Sequence, residues 1–100
     1  MVRRRRKVIW TIEALLTKKS LFKYWNLRNK STFYTKKLES LFKEKLNQIA
    51  QYPEASIEIS NDLRMVLARD YYLIFEFDES TIKVLDIWDT RQNPTEFPIK

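Results

Sequence analysis

Hydrophobic and polar residues change period along this chain, and each change marks an element. Residues 7–11 alternate, with Val8 and Trp10 on one face and Ile9 on the other, which predicts a short first strand. From about Ile12 to Leu27 the spacing turns helical. Ala14, Leu15, Leu21, Phe22 and Trp25 form an apolar stripe, with Lys18, Lys19 and Lys23 off it. Asn29-Lys30-Ser31 breaks the pattern, and Asn29 or Ser31 suits the N-cap of a second helix. That helix is predicted from about Thr32 to Tyr52, with a core face of Tyr34, Leu38, Leu41, Phe42, Leu46 and Ile49. Pro53 cannot continue it.

The second half of the chain has a period of two. Residues 56–60 place Ile57 and Ile59 inward and Glu58 outward, and Asn61-Asp62 turns the chain. Residues 63–69 set Leu63, Met65 and Leu67 against Arg64, Val66 and Ala68. In the next strand Tyr71, Leu73, Phe75 and Phe77 share one face; Tyr72, Ile74 and Glu76 share the other. After the turn cluster Asp78-Glu79-Ser80, residues 82–88 are apolar on both parities, with Ile82 and Val84 on one and Leu85 and Ile87 on the other. No inward face emerges from that pattern, which fits a central strand or one whose outer face is covered. The element order β-α-α-β-β-β-β predicts an α+β fold of two layers. An N-terminal strand and an antiparallel helix hairpin pack on a small twisted antiparallel sheet. Residues 1–100 make one domain, with residues 1–6 expected as a mobile basic arm and residues 95–100 as a tail.

Composition narrows the chemistry by subtraction. The chain has no cysteine and no histidine, which excludes disulfides, thiol nucleophiles, thiolate or imidazole metal sites and a histidine base. It has no glycine, which excludes P-loops and glycine-rich dinucleotide loops, and leaves any left-handed turn position to Asn, Asp or a strained residue. Neither a metal nor an organic cofactor is expected. The net charge of +6 is unevenly spread: residues 1–50 carry +11 and residues 51–100 carry −5. A polyanion is therefore drawn first to the helical half. No apolar run nears the roughly 20 residues that span a bilayer, and the apolar patch after Lys7 is too short for a secretory signal. These features predict a cytoplasmic protein with no membrane partner.

The polar residues at the end of the last strand form the candidate site. Trp88, Asp89, Arg91 and Gln92 lie where a strand stops, and a strand end holds polar groups rigidly. Asp89 is the nearest candidate base to Arg91, although one acid beside one Arg is more often a structural ion pair. Trp88 can stack a base, but packing in the helix–sheet core is the commoner use of such a residue. Tyr72 shares a face with Glu76, which places it on the open side of the sheet.

Several segments together carry a family resemblance. They are Val8-Ile9-Trp10-Thr11 with Ala14, Tyr24-Trp25 followed by Arg28-Asn29, Tyr52-Pro53, Leu63-Arg64, the aromatic strand at residues 71–77, and Trp88-Asp89-Thr90-Arg91-Gln92-Asn93-Pro94. In this order and spacing, over about residues 7–94, the chain resembles the RelE/ParE toxins of bacterial type II toxin–antitoxin pairs. The resemblance implies a small toxin neutralised by a cognate antitoxin, with operator DNA bound only through that antitoxin. It also implies one of two activities. RelE-like members cut mRNA in the ribosomal A site without a metal, whereas ParE-like members inhibit DNA gyrase and are not nucleases.

Carried over, Arg91 matches the last-strand Arg of the nucleases, and Arg64 falls near their basic positions. Tyr72 stands where a further Arg is expected, and Phe97 where a C-terminal Tyr is expected. In the nuclease reading Arg64, Arg91 and Asp89 are catalytic: the two Arg stabilise the phosphorane and Asp89 activates the 2′-hydroxyl. Tyr72, Trp88, Gln92 and Arg69 are expected to meet substrate or antitoxin. The leading expectation is this ribosome-dependent mRNA endonuclease, which blocks translation; the alternatives are a non-enzymatic gyrase inhibitor, or a degenerate toxin acting only through its antitoxin.

Overall fold

The computed structural model describes residues 5–91. The element order is β1 (Lys7–Trp10), α1 (Ile12–Asn29), α2 (Phe33–Gln51), a 3-10 turn at Pro53–Ala55, β2 (Ile57–Glu58), β3 (Arg64–Ala68), β4 (Tyr71–Phe77) and β5 (Thr81–Asp89). The two-layer α+β arrangement is the expected one. The sheet, however, is mixed rather than antiparallel. Its order is β1-β5-β4-β3-β2, and β1 joins the β5 edge parallel, with Val8 opposite Ile82 and Trp10 opposite Val84. A parallel neighbour needs a long crossover, which the helix hairpin and the following strands supply.

The helices cover one face of the sheet. Ala14 of α1, Leu38, Phe42, Leu46 and Ile49 of α2, Tyr71, Leu73 and Phe75 of β4, and Ile82, Val84 and Ile87 of β5 form one buried cluster. Truncating a large member such as Phe42, 1% exposed, is a cavity mutation of about 3–5 kcal/mol.

A bulge explains why β5 is apolar on both parities. Phe75 pairs with Val84 and Ile74 with Asp86, so Leu85 is an extra residue with no partner on β4. The extra residue switches parity, and Ile82, Val84 and Ile87 all face the helices. Thr11 sits over the bulge. Its hydroxyl donates to the Leu85 carbonyl (3.4 Å), its N–H donates to the Val84 carbonyl (3.0 Å), and its Oγ1 accepts from Ala14 N–H (3.1 Å) as the N-cap of α1.

Four further expectations are corrected. Lys18 is on the inner stripe of α1, because its ammonium both lies over the Trp10 ring and reaches α2. Its Nζ lies 4.7 Å from the Trp10 ring centre and 3.1 Å from Glu39 Oε1. Ile57 is exposed at the sheet edge, since β2 spans only two residues and pairs Ile57 with Met65 on the face away from the helices. Arg6 is tied down: its N–H donates to the Ala50 carbonyl, its Nε to the Asp78 carbonyl, and its guanidinium lies 5.3 Å from the Phe77 ring centre. Thr32 rather than Asn29 or Ser31 is the N-cap of α2; Ser31 Oγ instead accepts from Phe33 N–H (3.1 Å).

Candidate functional site

Tyr71 opens β4 directly after the Arg69-Asp70 turn and pairs with Asp89 at the end of β5. Its ring faces inward and meets Phe42 edge-on, with centroids 6.2 Å apart. Its hydroxyl ends under α1, where it accepts from Trp25 Nε1 (2.8 Å) and Arg91 Nη2 (3.3 Å). A buried aromatic with a polar tip needs such partners, and α1 supplies one because Trp25 follows Leu21 by one turn.

Asp89 and Arg91 form a two-pronged pair. Arg91 Nε donates to Oδ1 and Nη2 to Oδ2, both at 2.9 Å, and Arg91 N–H also donates to Oδ1. The Arg91 side-chain bonds hold the Asp89 carboxyl below its ordinary range, and the same bonds raise the Arg91 guanidinium further above its own. Burial pushes the Tyr71 phenol up, against the lowering effect of the Trp25 bond.

Aromatic rings extend the network sideways. Tyr24 and Tyr34 each lie 5.1 Å from Trp25, centre to centre. Arg91 lies 5.8 Å from the Trp25 ring, and Arg69 lies 5.5 Å from the Tyr34 ring. A cleft of about 350 Å³ opens here, with walls of Leu21, Tyr24 and Trp25, Tyr71 at its base, and Arg28, Asp89 and Arg91 at its rim. A neighbouring cleft of about 330 Å³ shares Leu21, Tyr71 and Asp89 and continues toward Thr17, Ser20 and Ile87.

The sequence-predicted residues therefore fall in three places. Asp89, Arg91 and Arg69 gather at the α1 end of the sheet. Tyr72 and Trp88 pair with each other on the face without helices, which corrects the expectation that Trp88 packs in the helix–sheet core. Arg64 stands alone at the other end of the β4 register, opposite Phe75 and on the helix side. From residue 71 to residue 75 the strand advances roughly 13 Å. Arg64 donates through Nε to Ser56 Oγ (2.8 Å) and through Nη2 to the Ser56 carbonyl (2.8 Å) and the Glu54 carbonyl (3.3 Å). Gln92 and Phe97 lie outside the described residues. Trp25, Tyr24, Arg28 and Tyr71 were missed as site residues. Their signal was an inward tyrosine paired with the last-strand acid, and a tryptophan on the apolar stripe of α1. Among the described residues no three His, Cys, Asp or Glu side chains converge as a metal site requires.

A family model described as the ParE toxin of type II toxin-antitoxin systems, parDE, matches residues 8–94. The chain belongs to the ParE toxin family. A solved structure titled as a chromosomal ParDE toxin–antitoxin system from P. aeruginosa superposes with a TM-score of 0.70 over 87% of this chain and 98% of that one, at 12% identity. At that identity the likeness is one of fold. No curated protein matches the chain. Membership in the ParE toxin family carries with it a cognate antitoxin as partner. No helix among the described residues of this ParE-family toxin is long and apolar enough to cross a membrane.

Proposed function

We propose that this toxin acts by binding a protein target, DNA gyrase, in the cytoplasm, and that it is not an mRNA endonuclease. The separation of the expected catalytic groups supports this reading. A metal-independent nuclease needs its cations and its base around one phosphate. Arg64 is instead committed to the loop before β2, at the far end of the strand register from Arg91. Asp89 is committed to Arg91, and an acid held below its ordinary pKa is a poor proton acceptor. The cleft between α1 and the end of β5 offers apolar walls with a charged rim, a composition suited to a protein surface.

The test pairs two assays with the purified chain. Inhibition of gyrase supercoiling, with intact mRNA in a reconstituted translation reaction, is the expected result. Ribosome-dependent mRNA cuts that disappear in Arg91→Ala overturn the reading in favour of the endonuclease. Inactivity in both assays overturns it in favour of a toxin that acts only through its antitoxin.

A further inference from the structure

We infer that the cleft between α1 and the β4–β5 ends is a carboxylate-binding pocket, built for an acidic side chain flanked by aliphatic residues in a partner's peptide segment. The inference rests on reading this cleft as a protein-binding surface.

Hydrogen-bond accounting at Tyr71 leads to it. The phenol oxygen accepts two N–H bonds, from Trp25 and Arg91, so its own proton must point elsewhere. That proton has no acceptor among the described residues, although Tyr71 is only 1% exposed. Tyr71 lines both adjoining clefts, and cleft space is where an acceptor for that proton can enter. A buried donor of this kind calls for an acceptor.

Charge specifies which acceptor. The rim holds two guanidinium groups, Arg28 and Arg91, against one carboxylate, Asp89. Arg28, in the last turn of α1, has no ion-pair partner among the described residues. Arg91 spends Nε and Nη2 on Asp89 and Tyr71, which leaves Nη1 for a ligand. A carboxylate entering between them meets the Tyr71 O–H, Arg28 and Arg91 Nη1, and restores the charge balance of the rim. Leu21, Trp25 and Tyr24 then receive the flanking aliphatic groups. The volume, about 350 Å³, suits one or two side chains.

The test is a ¹⁵N NMR titration of the full chain, read at the Trp25 indole N–H. That proton is bonded to the Tyr71 oxygen, so an acceptor on the phenol proton polarises the phenol and moves the indole signal. The probes are acetyl-leucyl-glutamyl-leucine amide, its glutaminyl counterpart and uridine 5′-monophosphate. The expected result is a saturating shift with the glutamyl peptide, about tenfold weaker binding of the glutaminyl peptide, and a similar weakening in Arg28→Gln but not in the distant Lys83→Gln. Equal binding of the two peptides, no shift at about 10 mM peptide, or a shift with the nucleotide alone each overturns the carboxylate assignment. None of these results depends on gyrase, so peptide binding without gyrase inhibition sinks only the proposed target.

Discussion

Trp25 and Tyr71, 46 residues apart in the chain, are joined by a 2.8 Å hydrogen bond from indole to phenol. The bond fixes the second half of α1 to the first residue of β4. It also sets the orientation of the phenol, and so of the Arg91 guanidinium that shares the same oxygen. Helix packing and rim geometry are therefore coupled through one atom.

Tyr71→Phe separates the two roles. The ring still fills the core beside Phe42, but the Trp25 indole N–H and one Arg91 N–H lose their acceptor. Leaving such donors unmet costs about 1–3 kcal/mol. Urea unfolding should show a lower midpoint with an unchanged slope, because the buried surface is the same.

Lys30 carries the left-handed cap of α1, with φ of 51°. A lysine there is strained by about 1–2 kcal/mol, and the glycine-free composition leaves the strain unrelieved. Lys30→Gly removes the strain but adds about 0.4–1 kcal/mol of unfolded-state entropy. The balance predicts a gain of about 0.5–1 kcal/mol, seen as a melting temperature raised by roughly 2–8 °C.

Arg64 and Arg91 should respond oppositely to neutralisation. Arg64→Gln frees the Ser56 carbonyl and hydroxyl and the Glu54 carbonyl, and should destabilise the fold by about 1–3 kcal/mol while activity survives at temperatures where the protein is folded. Arg91→Gln breaks a pair whose side chains are 55% and 27% exposed, so its stability loss should stay within about 1 kcal/mol. Its inhibitory activity should nevertheless fall. Chemical denaturation beside a supercoiling assay checks both, and the reverse pattern would move the site to the Arg64 end.

The fold was legible because period and order survive in the sequence: a clear stripe on α2, then strands of period two; the stripe read on α1 was partly wrong, since Leu15 is 45% exposed. Features that depend on tertiary contact were not legible. The Leu85 bulge switches the inward parity of β5 midway, so no fixed alternation fits residues 82–87. Lys18 is polar by residue type, yet its ammonium both lies over the Trp10 ring and pairs with Glu39. At the site, Asp89 and Arg91 were visible as a strand-end pair. Their partners Trp25 and Tyr71 looked like ordinary core residues, since nothing local tells an indole N–H that it will meet a phenol from another element.

Asp78 gives a pH-dependent prediction. Its Oδ1 accepts from Ser80 N–H and Thr81 N–H, both at 2.8 Å, and from both hydroxyls, closing the β4–β5 turn. These bonds, the two backbone ones first, favour the charged carboxylate and lower its pKa from 3.8 to about 2. The folded state thus takes up this proton at lower pH than the unfolded state does. The stabilisation is complete above the unfolded value of 3.8 and is lost as pH falls through that value toward about 2. Asp78→Asn removes the charge and should lower stability at neutral pH, and the gap between variant and parent should narrow steadily across that same acid window. Urea unfolding of both proteins at neutral pH and at two points inside the window measures the gap. A gap that stays constant down to the lowest pH would mean that the turn is held by the shape of the side chain and not by its charge.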